Sequence, residues 1–322
     1  PAALIASIVT LAYTWSGGIL AVTLTDAVQY VIIVIGVTLC AYLAIDHLGG
    51  FDAMMSILYS NPRFETNMKP LANWSLVQFL GLFFSFLLGE FCAPYYIQRY
   101  ASTKSAKDSK NGLLIFGVHW IFFMATTAAI GLASMAIQPD VKPDLAFTNL
   151  IRDILPPGIT GLVFGALLAA VMSTGAAMIN TSAVIYTRDI YNKFINTAAT
   201  QAQLLRQSRL STLVVGGISI GVAIIFQDVF GLMIYMFKLW PSAILPPLMC
   251  GLLWGKISPY AGAPAVIAGG LSFFLWSDKV LGEPFGIPAN FIGIGMNCLV
   301  LFFVHQKMTG HKPEGPFLPD LN

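Results

Sequence analysis

Long apolar runs, separated by short polar or proline- and glycine-rich connections, dominate the chain. A helix that crosses a bilayer needs roughly 20 mostly apolar residues. On that criterion the pattern predicts a partial helix at 1–14, then helices near 19–45, 73–99, 111–137, 159–190, 209–227, 229–255, 258–277 and 286–306, which is eight full spans and a remnant. Two connections are long. Residues 46–72 are polar and mixed in charge. Residues 138–158 hold an amphipathic piece, DLAFTNLIRDIL, that stops at Pro156-Pro157-Gly158; it reads either as a short helix lying over an outer vestibule or as a solvated linker. The tail after His305 is short and rich in proline and glycine, and no segment repeats another closely.

Composition turns this pattern into a class. The chain has 322 residues, 57% of them hydrophobic and 10% charged, with a mean hydropathy of +0.75. Soluble domains are about 25% charged, so the expectation is an all-α polytopic membrane protein embedded in lipid. A net charge of +2 gives no electrostatic footprint for nucleic acid. Cys40, Cys92, Cys250 and Cys298 stand singly in apolar segments, as free buried thiols do, without the clustered spacing of a disulfide framework or zinc site. The chain begins at Pro1 inside an apolar run, so an N-terminal part is expected to precede it. Lysine and arginine set the orientation. Eleven, from Arg99 to Lys312, fall on one set of connections; five (Arg63, Lys69, Lys142, Arg152 and Lys279) fall on the other. The first set, with the C-terminal tail, is therefore expected in the cytoplasm and the protein in the cell (inner) membrane.

Ionisable residues within spans are costly and mark function by default. There are three. Asp26 lies in GGILAVTLTDAVQY with Thr23 and Gln29 a turn away on either side; it can hold a cation or anchor a neighbouring helix. Glu90 follows Gly89 and precedes Pro94, which lacks the N–H that the Glu90 carbonyl would accept. The helix is expected to break at Glu90, either as a binding site of the kind found at discontinuous membrane helices or as an ordinary proline kink. Lys238 lies in a span whose prolines at 241, 246 and 247 free the carbonyls of Phe237, Ser242 and Ala243. Glu90 and Lys238 fall at similar depth, so they are expected to pair or to face one cavity, because an uncompensated charge there is costly. His119 is a weaker candidate, as a packed neutral imidazole or a proton relay. No Ser-His-Asp set, metal-spaced His/Cys cluster, Walker loop or dinucleotide fingerprint appears. That argues against an enzyme, an ATP-driven pump or a bound cofactor.

The stretch from Gly161 to Tyr191 carries a further pattern. Ala170, Ser173, Thr174, Ala177 and Thr181 share one helical face. Hydroxyls beside residues small enough to expose backbone carbonyls can supply neutral oxygen ligands to a small cation. Close helix packing through small residues would produce the same face.

Four segments, YTWSGGILAVTLTDAVQ (13–29), YYIQRYASTKSAKDSKNG (95–112), LPPGITGLVFGALLAAVMSTGAAMINTSAVIYTRDIY (155–191) and LLWGKISPYAG (252–262), together resemble the sodium:solute symporter family in order and spacing. The resemblance implies the inverted five-helix-repeat (LeuT-like) transporter fold, with alternating access around a midplane site. It makes residues 1–14 a remnant of core helix four, residues 15–255 core helices five to ten, residues 256–306 two additional C-terminal transmembrane helices and residues 307–322 a cytoplasmic tail. Roughly the first three to four core helices are then missing, and with them the carbonyls of core helix one that complete the family's main sodium site. The helix-eight contributions to that site fall on the Ala170 carbonyl and the Ser173 and Thr174 hydroxyls. Some members hold a second sodium with an aspartate equivalent to Asp26 and two further hydroxyls; those positions are Ala176 and Ala177 here, which implies one sodium per cycle. Sugar-transporting members place an aromatic gate where this chain has Gly89-Glu90, which points to a small polar or charged organic solute contacted by Gly89, Glu90 and Lys238.

The resulting expectation is a sodium-coupled symporter that carries such a solute into the cell, with sodium as coupling ion and no cofactor. Three alternatives remain: a transporter-like sensor joined to signalling domains, an inactive fragment, or a symporter coupled to protons through Asp26 and Glu90.

Overall fold

Every regular element among the described residues is helical. The computed structural model describes residues 2–62, 64, 75–225, 228–254 and 257–308. Expectations placed on Arg63, on residues 65–74, on Lys256 and on the tail beyond Met308 lie outside the described residues. In chain order the helices are α1 (Ala2–His47), α2 (Phe51–Tyr59), α3 (Leu76–Cys92), α4 (Pro94–Ala101), α5 (Ala106–Ile137), α6 (Pro143–Ile154), α7 (Pro157–Ile185), α8 (Gln201–Ile225), α9 (Val229–Trp254), α10 (Gly262–Trp276) and α11 (Ala289–Met308). A π-helical stretch, Tyr186–Ile195, continues α7. Among the described residues, six helices are long and apolar enough to cross a bilayer, or seven when the bent pair α3–α4 counts as one span.

That number differs from the eight spans and a remnant expected, for two local reasons. The remnant and the first full span form one element, α1. At 46 residues it would be about 69 Å long if straight, more than twice the roughly 30 Å hydrocarbon core. Gly18 interrupts it with φ 55° and ψ −146°, a left-handed conformation that glycine adopts without Cβ strain. The Tyr13 hydroxyl lies beside Gln29, although a straight helix would hold these residues about 24 Å apart. The chain therefore turns back at Gly18, and α1 consists of two limbs, residues 2–17 and 19–47, as the pattern predicts. The second reason is α10. Its 15 residues span only about 22 Å, because Ser258–Ala261 is spent on a turn and Ser277 ends the helix.

Two starts come earlier than the apolar pattern suggests, and both are capped. Ser105 accepts from the Asp108 N–H at the start of α5. Thr200 and Gln203 form a reciprocal capping box at α8, which draws the polar QAQLLRQSR segment into the helix.

The chain forms two compact units. The first contains residues 1–70 and 102–225. Its apolar core gathers Cys40, Ala44, Met54, Leu58, Ile130, Ala133, Leu150, Ile151 and Val163. The two long connections contribute directly to it: α2 buries Met54 and Leu58, and α6 buries Leu150 and Ile151. The DLAFTNLIRDIL segment is thus a packed helix, not a solvated linker. Ser134 Oγ donates to the Ala146 carbonyl at 3.3 Å and Gln138 Nε2 to Asp153 Oδ2 at 2.9 Å, tying α6 to the end of α5. Small residues bring α7 onto the second limb of α1: a Cβ on Gly36 would stand 2.6 Å from the Ala166 Cβ.

The second unit contains residues 71–101 and 226–322, where α9, α10 and α11 cross at Ser242. A Cβ on Gly293 would stand 2.5 Å from the Ser242 Cβ, and one on Gly269 would collide with the Ser242 carbonyl. Pro246 and Pro247 leave the Ser242 and Ala243 carbonyls without helical N–H partners. One side chain serves both. Asn297 Nδ2, fully buried on α11, donates to Ser242 O at 3.0 Å and Ala243 O at 2.6 Å. The third freed carbonyl, of Phe237, faces Gly89, whose missing Cβ would lie 3.0 Å from that oxygen. Of the four cysteines, Cys40 and Cys92 are buried and free as expected, whereas Cys298 is exposed, because α11 buries the face that carries Asn290, Gly293, Asn297 and Leu301.

Candidate functional site

In the first unit, α7 divides into two stripes. Val163, Ala166, Ala169, Ala176, Ala177, Asn180 and Thr181 are buried, which is the small-residue packing face. Ala170 and Ser173 are half-buried at its edge and Thr174 is exposed, so packing does not consume the hydroxyls. Ser173 Oγ donates to the Ala170 carbonyl at 3.0 Å and Thr174 Oγ1 donates to the same oxygen at 3.2 Å. Back-bonding of this kind is ordinary in helices, and Thr10 and Thr126 do it too. Here two neighbouring hydroxyls share one carbonyl, so three neutral oxygens converge within a single turn. Hydroxyls rotate freely, and a turn of each would present lone pairs to a cation beside that carbonyl.

Asp26 is half-buried on the second limb of α1. Tyr13, from the first limb, lies close enough to feel its charge and stands beside Thr10, Thr25 and Gln29. The Tyr13 hydroxyl also donates to the Met172 carbonyl at 3.2 Å, next to Ser173. One phenol therefore joins the Asp26 neighbourhood to the hydroxyl stripe of α7. The two hydroxyl positions absent from this chain, Ala176 and Ala177, are buried methyls. His119 packs on the rings of Tyr30, at 5.0 Å, and Phe123, at 6.0 Å.

In the second unit the expected Glu90–Lys238 pair does not form. Lys238 Nζ instead lies 3.2 Å from Glu283 Oε1, in the connection before α11. Glu90 lies beside the Tyr96 hydroxyl and near Tyr95 and Tyr100. Tyr95 in turn meets Trp240, with ring centroids 6.2 Å apart, and Phe237 packs between Trp240 and Phe86. Gly89 lies at the crossing of α3 with α9, where a Cβ would stand 2.6 Å from the Phe237 ring. Gly89 and Glu90 thus share one aromatic-walled centre, and Lys238 belongs to another.

The helix break falls at Ala93, three residues after Glu90. Ala93 is extended, as a residue before proline prefers, and the α3–α4 pair bends by 40° there. The Ala93 N–H donates to the Glu90 carbonyl at 3.3 Å, so that carbonyl keeps a partner. Sequence reasoning missed Tyr13, Glu283, Asn297 and the tyrosines of α4. A polar Asn in the apolar run GIGMNCLVLFF was the available signal for Asn297; nothing local marks Glu283 as the partner of Lys238.

Long apolar helices, a proline-broken span and a turned-back first helix define a multi-pass membrane protein with the LeuT-like transporter fold. A solved structure of a Na+-coupled sialic acid symporter, substrate-bound and outward-open, superposes on 98% of the chain and 68% of its own length with a TM-score of 0.71 at 20% identity. The chain belongs to the sodium:solute symporter family, whose sequence profile matches residues 1–269. Similar curated proteins are transporters. The osmoregulated proline transporter of Bacillus subtilis is 28% identical, over 87% of this chain and 57% of its own length. The sodium/proline symporter of Salmonella typhimurium is 26% identical over 95% and 62%, and that of Escherichia coli 27% identical over 84% and 55%. The chain thus spans little more than half the length of these relatives.

Proposed function

We propose that the protein is a sodium-coupled symporter that moves a small polar or charged organic solute into the cell by alternating access. The observation that carries this reading is the convergence of the Ala170 carbonyl with the Ser173 and Thr174 hydroxyls at the edge of a packed helix face, in a chain of this family. Neutral oxygens suit a hard monovalent cation, which a transporter must release as well as bind. Asp26 adds a negative charge close by, and Ala176 and Ala177 favour a single sodium per cycle. Residues 1–14 act as the remnant of core helix four, 15–255 as core helices five to ten and 256–306 as C-terminal additions, in the cell membrane with the C-terminus cytoplasmic.

Sodium and solute favour each other's binding by the same factor, since linkage is reciprocal. Solute contacts are assigned to Gly89 and Glu90 at the aromatic-walled centre. Several relatives are named for proline, so proline is the first solute to test. The experiment is uptake of a panel of labelled solutes into proteoliposomes holding the protein as expressed from its own gene, under an inward sodium gradient, an inward proton gradient or neither. Accumulation of one solute driven by sodium alone is expected. Accumulation driven by protons alone, or none for any solute, contradicts the reading.

A further inference from the structure

The connection between α10 and α11 borders an open pocket of about 320 Å³ lined by Gln78, Gly81, Leu82, Ile234, Pro288 and the Lys238–Glu283 pair. Small-molecule sites begin at about 300 Å³, so the space suits a small solute. Its two charges are fixed differently. Glu283 stands in a left-handed conformation with φ 49°, and its Oε1 also accepts from the Ala289 N–H at 3.1 Å, at the start of α11. Its carboxylate is therefore held in place without Lys238. Lys238 reaches it on a flexible stem. The side chains are only 23% and 22% exposed, so each charge has lost much of its water and depends on its partner.

We infer that this cavity is a second binding site, selective for small zwitterions, in which Lys238 takes the carboxylate of the solute and Glu283 its ammonium. The selectivity follows from charge balance. An anion on Lys238 would leave Glu283 unpaired and facing it, and a cation on Glu283 would do the same to Lys238; an unpaired, partly desolvated charge is costly. A zwitterion inserted between the two replaces one ion pair with two and strands neither charge. The swing of Lys238 opens the pair while the Ala289 N–H keeps Glu283 in position. Apolar Leu82, Ile234 and Pro288 receive the rest of a small aliphatic body. The site is separate from the aromatic-walled centre at Glu90. It goes beyond the transport reading, since binding here needs no sodium.

Equilibrium dialysis of the purified protein in sodium-free buffer tests this, with labelled L-proline, L-alanine and glycine betaine as probes. Saturable binding of at least one probe is expected. Lys238→Met and Glu283→Gln should each weaken it about tenfold or more, equivalent to about 1.4 kcal/mol, and Ser182→Ala, on an exposed hydroxyl of α7, should leave it unchanged. Cationic L-prolinamide and anionic N-acetyl-L-proline should compete about tenfold less well than the zwitterion. If removing a charge disturbs folding, Ile234→Trp gives an independent check: it fills the cavity, leaves the pair intact and should abolish binding. No saturable binding of any probe, binding that survives Ile234→Trp, or equal competition by the singly charged analogues overturns the site. Because sodium is absent throughout, failure here leaves sodium-driven uptake untouched, and failure of sodium-driven uptake leaves this site untouched.

Discussion

Ser173→Ala and Thr174→Ala should each raise the sodium concentration needed for half-maximal uptake by roughly ten- to hundredfold. Each removes one oxygen from the cluster around the Ala170 carbonyl. A polar contact to a charged group contributes about 1.5–3 kcal/mol, and each 1.4 kcal/mol is tenfold in affinity. Solute affinity measured at saturating sodium should move far less, since neither hydroxyl is assigned to the solute. Ser182→Ala, on an exposed hydroxyl further along α7, should leave the sodium dependence where it was. If both cluster variants keep the sodium dependence of the unmodified protein, these hydroxyls hold the helix together and do nothing for the ion.

The second large effect is on stability. Asn297→Ala should lower the thermal midpoint of the purified protein by several degrees, because two carbonyls freed by Pro246 and Pro247 then lose their donor together. Each buried group left unsatisfied costs about 1–3 kcal/mol in water-soluble proteins, and interhelical polar contacts in membranes average nearer about 0.6 kcal/mol, so a loss of about 1–4 kcal/mol is expected. Asn297→Asp should be worse, since a carboxylate would face both carbonyls without a proton to donate. Asn290→Ala makes a useful comparison, because Asn290 Nδ2 donates to one carbonyl, that of Gly81, at 3.3 Å. A melt of Asn297→Ala indistinguishable from that of the unmodified protein would mean that α9 holds its shape without the clamp.

Much of the fold is readable in the sequence because membrane helices declare themselves by length. The chain reversal near Gly18, the broken span before Pro94 and the carbonyls that α9 leaves without helical donors all follow from local covalent facts: a glycine that accepts positive φ and prolines that lack a donor. Two things are not local. Helix starts at Ala106 and Gln201 depend on caps that extend polar turns outside the apolar window. The packed helices α2 and α6 look like ordinary polar connections until Met54, Leu58, Leu150 and Ile151 find a core to enter.

The candidate site divides in the same way. Ala170, Ser173 and Thr174 lie within one helical turn, so their convergence is fixed by helix geometry and can be read from spacing. Glu90 and Lys238 look like partners by depth alone, but depth does not determine which way a side chain turns. Lys238 finds Glu283, 45 residues away, and Glu90 finds Tyr96 across the break. Asn297 serves carbonyls 55 and 54 positions distant. Such partnerships arise from helix packing, and each was invisible until α3, α9 and α11 had been placed.

The central claim is that the oxygens at Ala170, Ser173 and Thr174 hold the coupling sodium. It is tested most directly by binding of radiolabelled sodium to the purified protein, as expressed from its own gene, alongside the Ser173→Ala/Thr174→Ala double variant. Saturable sodium binding that solute strengthens in the unmodified protein, and that disappears in a double variant whose melt is unchanged, is the predicted result. Equal sodium binding by both proteins would contradict it.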